Sequence, residues 1–189
     1  MPRASRSSVA LIVIDVQEAF NDATYWGPRN NPNCEKNIST LIDAWRENGQ
    51  PIVFVRHDST DLKSPLRLDS PGNTFKSCIT GFPDLLVTKT VNSAFYGEPS
   101  LHEWLERRGI DEIAICGITT NHCCETTARM GGNLGYRVSF ILDATHTFDR
   151  VAIDGIDIPA DDLARVTGAN LQGEFADVIS TKQGVTLLT

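Results

Sequence analysis

Long uninterrupted apolar runs are missing from this sequence of 189 residues. The first apolar stretch, residues 9–16, is short and contains Asp15. A helix that spans a bilayer needs about 20 mostly apolar residues, so this stretch is typical of a buried strand rather than a membrane helix or a signal peptide. We therefore predict a cytoplasmic protein that does not associate with membranes.

Runs of Lys or Arg are also missing, and the formal net charge is −7. Nucleic-acid binding is driven mainly by neutralisation of phosphates with a basic surface. An acidic chain without basic clusters argues against a nucleic-acid partner, and we expect the partner to be a small-molecule substrate.

Paired cysteine spacing is the third absence. The five cysteines are odd in number and are Cys34, Cys78, Cys116, Cys123 and Cys124. Without a secretory signal, they are typical of reduced thiols in a cytoplasmic protein rather than of a disulfide framework.

Short apolar segments alternate with amphipathic ones along the chain. Buried strands are predicted at residues 9–16, 51–57, 85–90, 111–117, 137–142 and 177–181. Helices are predicted at residues 34–48, from Ser100, after the fourth strand and around residues 163–169. This order predicts an α/β fold, a three-layer α-β-α arrangement with a doubly wound, six-stranded, mainly parallel sheet. The length suits a single domain over residues 1–189.

Three reactive side chains follow the ends of predicted strands. Asp15 ends the first strand, Lys89 ends the third, and Cys123 begins the helix after the fourth. Any one of them alone is more often structural, and a single cysteine is usually a small buried apolar residue. Because ligands of open α/β sheets bind at the carboxyl ends of the strands, we expect the three to form one site.

The three groups have complementary chemistry. A cysteine attacks as the thiolate, and a helix N-terminus with a nearby ammonium can lower its pKa. A carboxylate can take the thiol proton and pass it to a leaving amine. The turn at residues 117–120 can direct backbone N–H groups at an oxyanion. These residues predict nucleophilic catalysis by a low-pKa thiol.

Five segments carry a resemblance to a known family, and it extends from about residue 8 to residue 182. They are LIVIDVQEAF (11–20), FVRH (54–57), KTVNSAFYG (89–97), GITTNHCCETTAR (117–129) and GYRVSFILDA (135–144). The chain resembles the isochorismatase-like cysteine hydrolases, which include nicotinamidases, N-carbamoylsarcosine amidases, ureidoacrylate amidohydrolases and streptothricin hydrolases.

The resemblance implies roles for particular residues. It implies a catalytic triad of Asp15, Lys89 and Cys123, and an oxyanion hole formed by the backbone N–H groups of Thr119 and Cys123. It also implies a cis peptide between Ile118 and Thr119, and a homodimer or homotetramer. Cys124 is expected to face the core.

The activity that the resemblance favours is hydrolysis of a C–N bond in a small amide, ureide or lactam through a thioester. Two alternatives stay open: hydrolysis of an isochorismate-type vinyl ether, and a catalytically idle homologue that binds ligands or serves in thiol redox chemistry. The motifs indicate the machinery and leave the substrate open.

Substrate contacts are expected from residues near the strand ends and in the loops over them. The candidates are Phe20, Trp26, His57, Phe95, Tyr96 and His146, together with the polar loop at residues 58–80. Nicotinamidases begin a metal site with a DxH pair after the second strand, but this chain has His57 followed by Asp58 and no further histidine before His102. We therefore predict no cofactor and no metal.

Overall fold

A six-stranded sheet forms the centre of the computed structural model, which describes residues 8–189. Its strand order is β3-β2-β1-β4-β5-β8, and all five neighbouring pairs are parallel. A separate antiparallel hairpin pairs β6 with β7. The strands are β1 (Val9–Ile14), β2 (Ile52–His57), β3 (Leu85–Lys89), β4 (Glu112–Ile118), β5 (Arg137–His146), β6 (Arg150–Val151), β7 (Asp157–Ile158) and β8 (Asp177–Ile179).

Helices cover both faces of the sheet. They are α1 (Ala23–Trp26), α2 (Cys34–Glu47), α3 (Leu101–Arg107), α4 (Glu125–Asn133), α5 (Ala160–Leu171) and α6 (Thr181–Thr186). Apolar side chains of α2 and α6 pack on one face of the sheet, and those of α3, α4 and α5 pack on the other. The predicted three-layer, doubly wound α/β fold is confirmed.

The strand order places a switch point between β1 and β4. The chain proceeds outward from β1 to β2 and β3 on one side, and from β4 to β5 and β8 on the other. At such a point the loops after the two central strands diverge and leave a crevice at the carboxyl edge of the sheet. Asp15 follows β1 and Cys123 follows β4 at this edge.

Two elements differ from the sequence-based expectation. The hairpin of β6 and β7 was not predicted, because its strands have only two residues each and show no alternation. The segment before α4 is a π-helical turn, Thr120–Cys124, rather than the first turn of an α-helix. Wider turns of this kind are often found at functional sites.

Membrane-spanning helices were not expected. Within residues 8–189, none of the helices combines the length and the apolar character that crossing a bilayer requires.

Gly117 lets β4 approach β1 closely. Its φ is +132°, and a Cβ at this position would lie 2.1 Å from the carbonyl oxygen of Ile14. Since that neighbour is backbone of the central strand, it has no freedom to move aside.

We expect Gly117→Ala to reduce folding yield severely or to lower the melting temperature far more than Gly49→Ala. Gly49 also has a positive φ, +62°, but a Cβ there meets nothing within 4 Å. Gly49→Ala therefore measures backbone strain alone, about 1–2 kcal/mol, and Gly117→Ala adds the clash. Thermal unfolding of both variants tests this. Equal stability of the two would contradict the close approach of β1 and β4.

Candidate active site

A buried ion pair joins the ends of β1 and β3. Lys89 Nζ lies 2.6 Å from Asp15 Oδ2, and both side chains are fully inaccessible to solvent. Asp15 adopts a positive φ of 52°, which is uncommon outside glycine and turns its side chain out of the regular strand pattern. Its second oxygen, Oδ1, is buried and accepts no hydrogen bond from residues 8–189. The carboxylate of Asp15 is therefore held at one oxygen by Lys89, and its other oxygen has no donor fixed to it within the described residues.

Cys123 brings a thiol to this carboxylate. The Sγ atom, a carboxylate oxygen of Asp15 and a ring nitrogen of His57 all lie within 4.8 Å of one another. Asn92 Oδ1 lies 3.8 Å from the same sulfur. Cys124, the next residue, is fully buried and packs in the core cluster on the α3–α5 side of the sheet, as expected. Only the first of the two adjacent thiols reaches a cavity.

Burial raises the pKa of Cys123, and the negative charge of Asp15 raises it further. The ammonium of Lys89 acts in the opposite direction but does not outweigh these two effects. The expectation of a low-pKa thiol is therefore wrong for the resting site. That expectation considered only Lys89 and the helix N-terminus, which lower the pKa of a thiol. Burial and a neighbouring carboxylate both raise it. At neutral pH Cys123 is a thiol next to a proton acceptor.

Lys89 remains an ammonium in this environment. Burial acts to lower its pKa, but Asp15 and Cys123 both raise it, and the net direction is upward. A permanent positive charge thus lies beside the thiol and the carboxylate, where it stabilises either of them as an anion.

His57 lies at the end of β2, between β1 and β3, and its Nδ1 is 3.0 Å from Lys89 Nζ. Burial and the charge of Lys89 lower its pKa, so the ring is neutral at pH 7. Gln17 holds the backbone of His57: its Oε1 accepts from the His57 N–H at 2.8 Å, and its Nε2 donates to the His57 carbonyl at 3.1 Å. Sequence reasoning missed Gln17, although a fully buried glutamine two residues after Asp15 is the kind of polar residue that needs such partners.

A cavity of about 220 Å³ opens above these groups. One wall is aromatic, with Phe20 and Trp26 in contact at 4.8 Å between ring centroids. Cys123 and Thr119 contribute to its lining on the sheet side. The remaining lining residues are Tyr25, His57, Ser59, Asp61, Ser64, Leu66, Asn92 and His122. The structure thus brings Phe20, Trp26 and His57 together with Cys123 around one cavity, and their contact with a substrate stays a prediction.

The polar loop after β2 closes one side of this cavity. Asn73 anchors it, because its Nδ2 donates to the carbonyls of His57 at 3.1 Å and Leu66 at 2.9 Å and to Asp58 Oδ1 at 3.0 Å. The loop at residues 58–80 therefore contributes lining residues to the cavity, and its contact with a substrate stays a prediction.

Three residues expected to contact substrate do not line the cavity. Phe95 is buried in the core cluster, where it stacks on Tyr136 with 5.6 Å between ring centroids. Tyr96 is 72% exposed and borders a different surface depression. His146 is fully buried against Phe20 and Phe148, and neither ring nitrogen has a hydrogen-bond partner among residues 8–189, although Nε2 lies 3.9 Å from Glu35 Oε1. All three follow strands of the central sheet in the sequence. The side chains of Phe95 and His146, however, are buried in the core, and that of Tyr96 is exposed to solvent.

A larger cavity of about 710 Å³ lies at α5 and β8. It is lined by none of Asp15, Lys89 or Cys123, and its walls are mostly apolar. The smaller cavity beside the thiol is therefore the candidate active site.

Asp15, His57 and Cys123 are also three side chains of metal-ligating type. Lys89 Nζ, however, lies 2.6 Å from Asp15 Oδ2 and 3.0 Å from His57 Nδ1. These donors are arranged around an ammonium, and a metal ion at the same place would meet its positive charge. The geometry fits a lysine-centred cluster better than a metal centre.

The isochorismatase-domain family model matches residues 9–183. The chain belongs to the isochorismatase family. It is 38% identical over 175 residues to YrdC, an uncharacterised family protein of Bacillus subtilis, with 92% of each chain covered. It is 36% identical over 158 residues to Nicotinamidase 3 of Arabidopsis thaliana, with 74% of each covered. A crystal structure of a putative family hydrolase from Chromobacterium violaceum superposes with a TM-score of 0.90 at 34% identity, covering 100% of this chain and 96% of the other.

Lys89→Met is expected to slow alkylation of Cys123 by iodoacetamide at pH 8. The variant removes the one nearby charge that lowers the pKa of the thiol, so less thiolate is present at a given pH. Lys76→Met is the matched control, because Lys76 is also buried and ion-paired, with Glu35 Oε1 at 2.7 Å. Mass spectrometry of the peptide that contains Cys123 gives the rates. Equal rates in the two variants would remove Lys89 from control of the thiol.

Proposed function

We propose that this chain is a cysteine hydrolase that cleaves the C–N bond of a small amide, ureide or lactam through a thioester. The observation that carries the proposal is the buried Asp15–Lys89 ion pair, with a carboxylate oxygen of Asp15 within 4.8 Å of Cys123 Sγ. This arrangement places a buried proton acceptor and a fixed positive charge directly behind a nucleophile that lines the cavity.

In the first half of the reaction, the Cys123 thiol gives its proton to Asp15 as Sγ forms a bond to the substrate carbonyl carbon. The carbonyl oxygen becomes an oxyanion, which accepts hydrogen bonds from the backbone N–H groups of Thr119 and Cys123. Asp15 then passes the proton to the leaving nitrogen, the C–N bond breaks, and the amine departs from a thioester on Cys123.

In the second half, water attacks the thioester carbon and gives a proton to Asp15. The oxyanion forms at the same place, the C–S bond breaks, and the proton returns to the sulfur as the acid leaves. Lys89 stays protonated throughout and stabilises the negative charge as it moves between the Asp15 carboxylate and the Cys123 sulfur. The raised pKa of the resting thiol is consistent with this cycle, because the proton is transferred only when substrate is attacked.

The alternative of vinyl ether hydrolysis is less well supported by the site. Such an ether is cleaved by protonation and addition of water, which require an acid and no sulfur nucleophile. The alternative of an idle homologue gives no reason for a buried carboxylate–ammonium pair behind a thiol that lines a cavity. Burial of charged groups costs free energy, which a site without catalysis has no need to incur.

A screen of small amides, ureides and lactams for released ammonia or amine tests the proposal. The wild-type protein is compared with Cys123→Ser on every compound, and isochorismate is included as the ether substrate. Release of amine that depends on Cys123 supports the proposal. Turnover of isochorismate alone, or amine release that persists in Cys123→Ser, would overturn it.

Activity is expected to survive exhaustive treatment with a chelator. The proposed cycle uses the sulfur, the carboxylate, the ammonium and two backbone N–H groups, so no metal is needed to polarise the carbonyl. Elemental analysis of the purified protein accompanies the assay. Stoichiometric zinc, iron or manganese whose removal abolishes turnover would contradict this prediction.

A further inference from the structure

The hydrogen bonds of Lys89 determine the tautomer of His57. An ammonium has three N–H donors and no acceptor. One of them is directed to Asp15 Oδ2 at 2.6 Å, and another meets His57 Nδ1 at 3.0 Å. His57 Nδ1 must therefore be the acceptor in this contact, and it carries no proton.

The second ring nitrogen then carries the proton. A doubly protonated ring would place an N–H donor against the Lys89 ammonium at 3.0 Å. Burial and the charge of Lys89 also lower the pKa of His57, and together they outweigh the opposite effect of Asp15 and Asp58. The neutral ring with hydrogen on Nε2 is the form that satisfies the contact.

The Nε2–H group has no acceptor among residues 8–189, and His57 lines the cavity beside Cys123. Its ring is held at one edge by Lys89 and at its backbone by Gln17. The cavity is thus lined both by a histidine that has an unpaired hydrogen-bond donor and by the aromatic rings of Phe20 and Trp26.

We propose that His57, held by Lys89 as its Nε2–H tautomer, is a specificity-determining donor that selects planar amides carrying a hydrogen-bond acceptor apart from the scissile carbonyl. This rests on the proposed amide hydrolysis. The acceptor meets Nε2–H while the flat face of the substrate packs on Phe20 and Trp26. A substrate without the acceptor leaves the donor desolvated and unpaired, which weakens its binding.

The tautomer is measured directly by nitrogen-15 NMR of the wild-type protein at pH 7. His57→Asn assigns the resonances, and His102 serves as an internal reference, because its Nδ1 lies 2.7 Å from the Tyr136 hydroxyl outside the cavity. We expect an unprotonated Nδ1 and a protonated Nε2 for His57. The opposite tautomer, or an imidazolium, overturns the inference.

Selectivity is tested with benzamide and its three ring-nitrogen analogues picolinamide, nicotinamide and isonicotinamide, which differ in where the acceptor lies. We expect the best analogue to exceed benzamide about fivefold in kcat/KM, the effect of one neutral hydrogen bond. His57→Asn retains an acceptor for Lys89 but does not reach the cavity, and it is expected to lose the preference. His57→Gln extends an amide N–H toward the position of Nε2 and is expected to keep it, as is the outside control His102→Asn.

Binding of the same four amides to Cys123→Ala, measured by calorimetry, separates this inference from the proposed function. If no amide is hydrolysed by the wild-type protein, the proposed reaction fails for this class, and the binding preference still tests His57. A preference that depends on His57 supports the inference. Equal binding of all four amides to Cys123→Ala overturns it. So does an unchanged preference when His57→Asn is added to Cys123→Ala.

Discussion

Replacing Cys123 by alanine or serine is expected to abolish turnover, whereas Cys124→Ala is expected to retain most of it. Cys123 borders the cavity beside Asp15, but Cys124 is fully buried in the core and reaches no cavity. Serine keeps the shape of the side chain, but its hydroxyl has a far higher pKa than a thiol, so Asp15 is too weak a base to activate it. We expect a loss of at least about a thousandfold for either substitution.

The neighbouring substitution separates loss of the nucleophile from loss of stability. Cys124→Ala removes one buried sulfur and should cost about 1–2 kcal/mol of unfolding free energy, as should Cys116→Ala in β4. Both are measured by thermal unfolding alongside the amine-release assay. A dead Cys124→Ala with an active Cys123→Ala would show that the nucleophile has been placed one residue too early.

Asp15→Asn is expected to change turnover and thiol reactivity in opposite directions. Turnover should fall by about 10²–10⁴-fold, because the amide oxygen of asparagine cannot carry the proton from sulfur to the leaving nitrogen. Alkylation of Cys123 by iodoacetamide at pH 7 should become faster. The charge of Asp15 raises the pKa of the thiol, so its removal increases the thiolate fraction, and Lys89 loses its competing anion.

The control for this variant is Asp84→Asn, at the opposite end of the sheet, where Asp84 Oδ2 accepts from the Ile52 N–H at 2.8 Å. It is expected to leave both rates unchanged. Asp15→Asn also leaves the buried charge of Lys89 without its anion, which lowers the free energy of unfolding by about 3–5 kcal/mol. The hydrogen bond that asparagine can still accept from Lys89 offsets part of this loss. Both assays are therefore run well below the melting temperature. Slower alkylation in Asp15→Asn would contradict the proposed electrostatics.

The fold was largely predictable because its signals are local. The runs of apolar, β-branched residues at 9–16 and 111–117 mark strands buried on both faces, and the helix expected at residues 34–48 is observed as Cys34–Glu47. The hairpin of β6 and β7 gave no such signal, since its strands have two residues each, which is too short for a periodic pattern. The expected dimer or tetramer stays a prediction.

The site was predictable where strand order alone decides it. Asp15, Lys89 and Cys123 meet because the carboxyl ends of parallel strands share one edge. The direction in which the pKa of Cys123 shifts depends on how deeply the thiol is buried, and the sequence alone does not give this burial. Both His57 and His146 lie at strand ends, so the sequence predicts substrate contact for both. The structure distinguishes them, because His57 lines the cavity and His146 is buried in the core.

The central claim, that Cys123 carries the acyl group of the substrate as a thioester, is tested most directly by acid-quenched mass spectrometry during turnover of an amide. The protein is expected to gain the mass of the acyl group on the peptide that contains Cys123, and hydroxylamine is expected to remove this group as the hydroxamate. Cys124 and Cys123 are adjacent, so Cys124→Ala is used to assign the adduct. Amine release by the wild-type protein without an adduct would contradict a thioester on Cys123. Hydroxamate formation that persists in Cys123→Ala would contradict it as well.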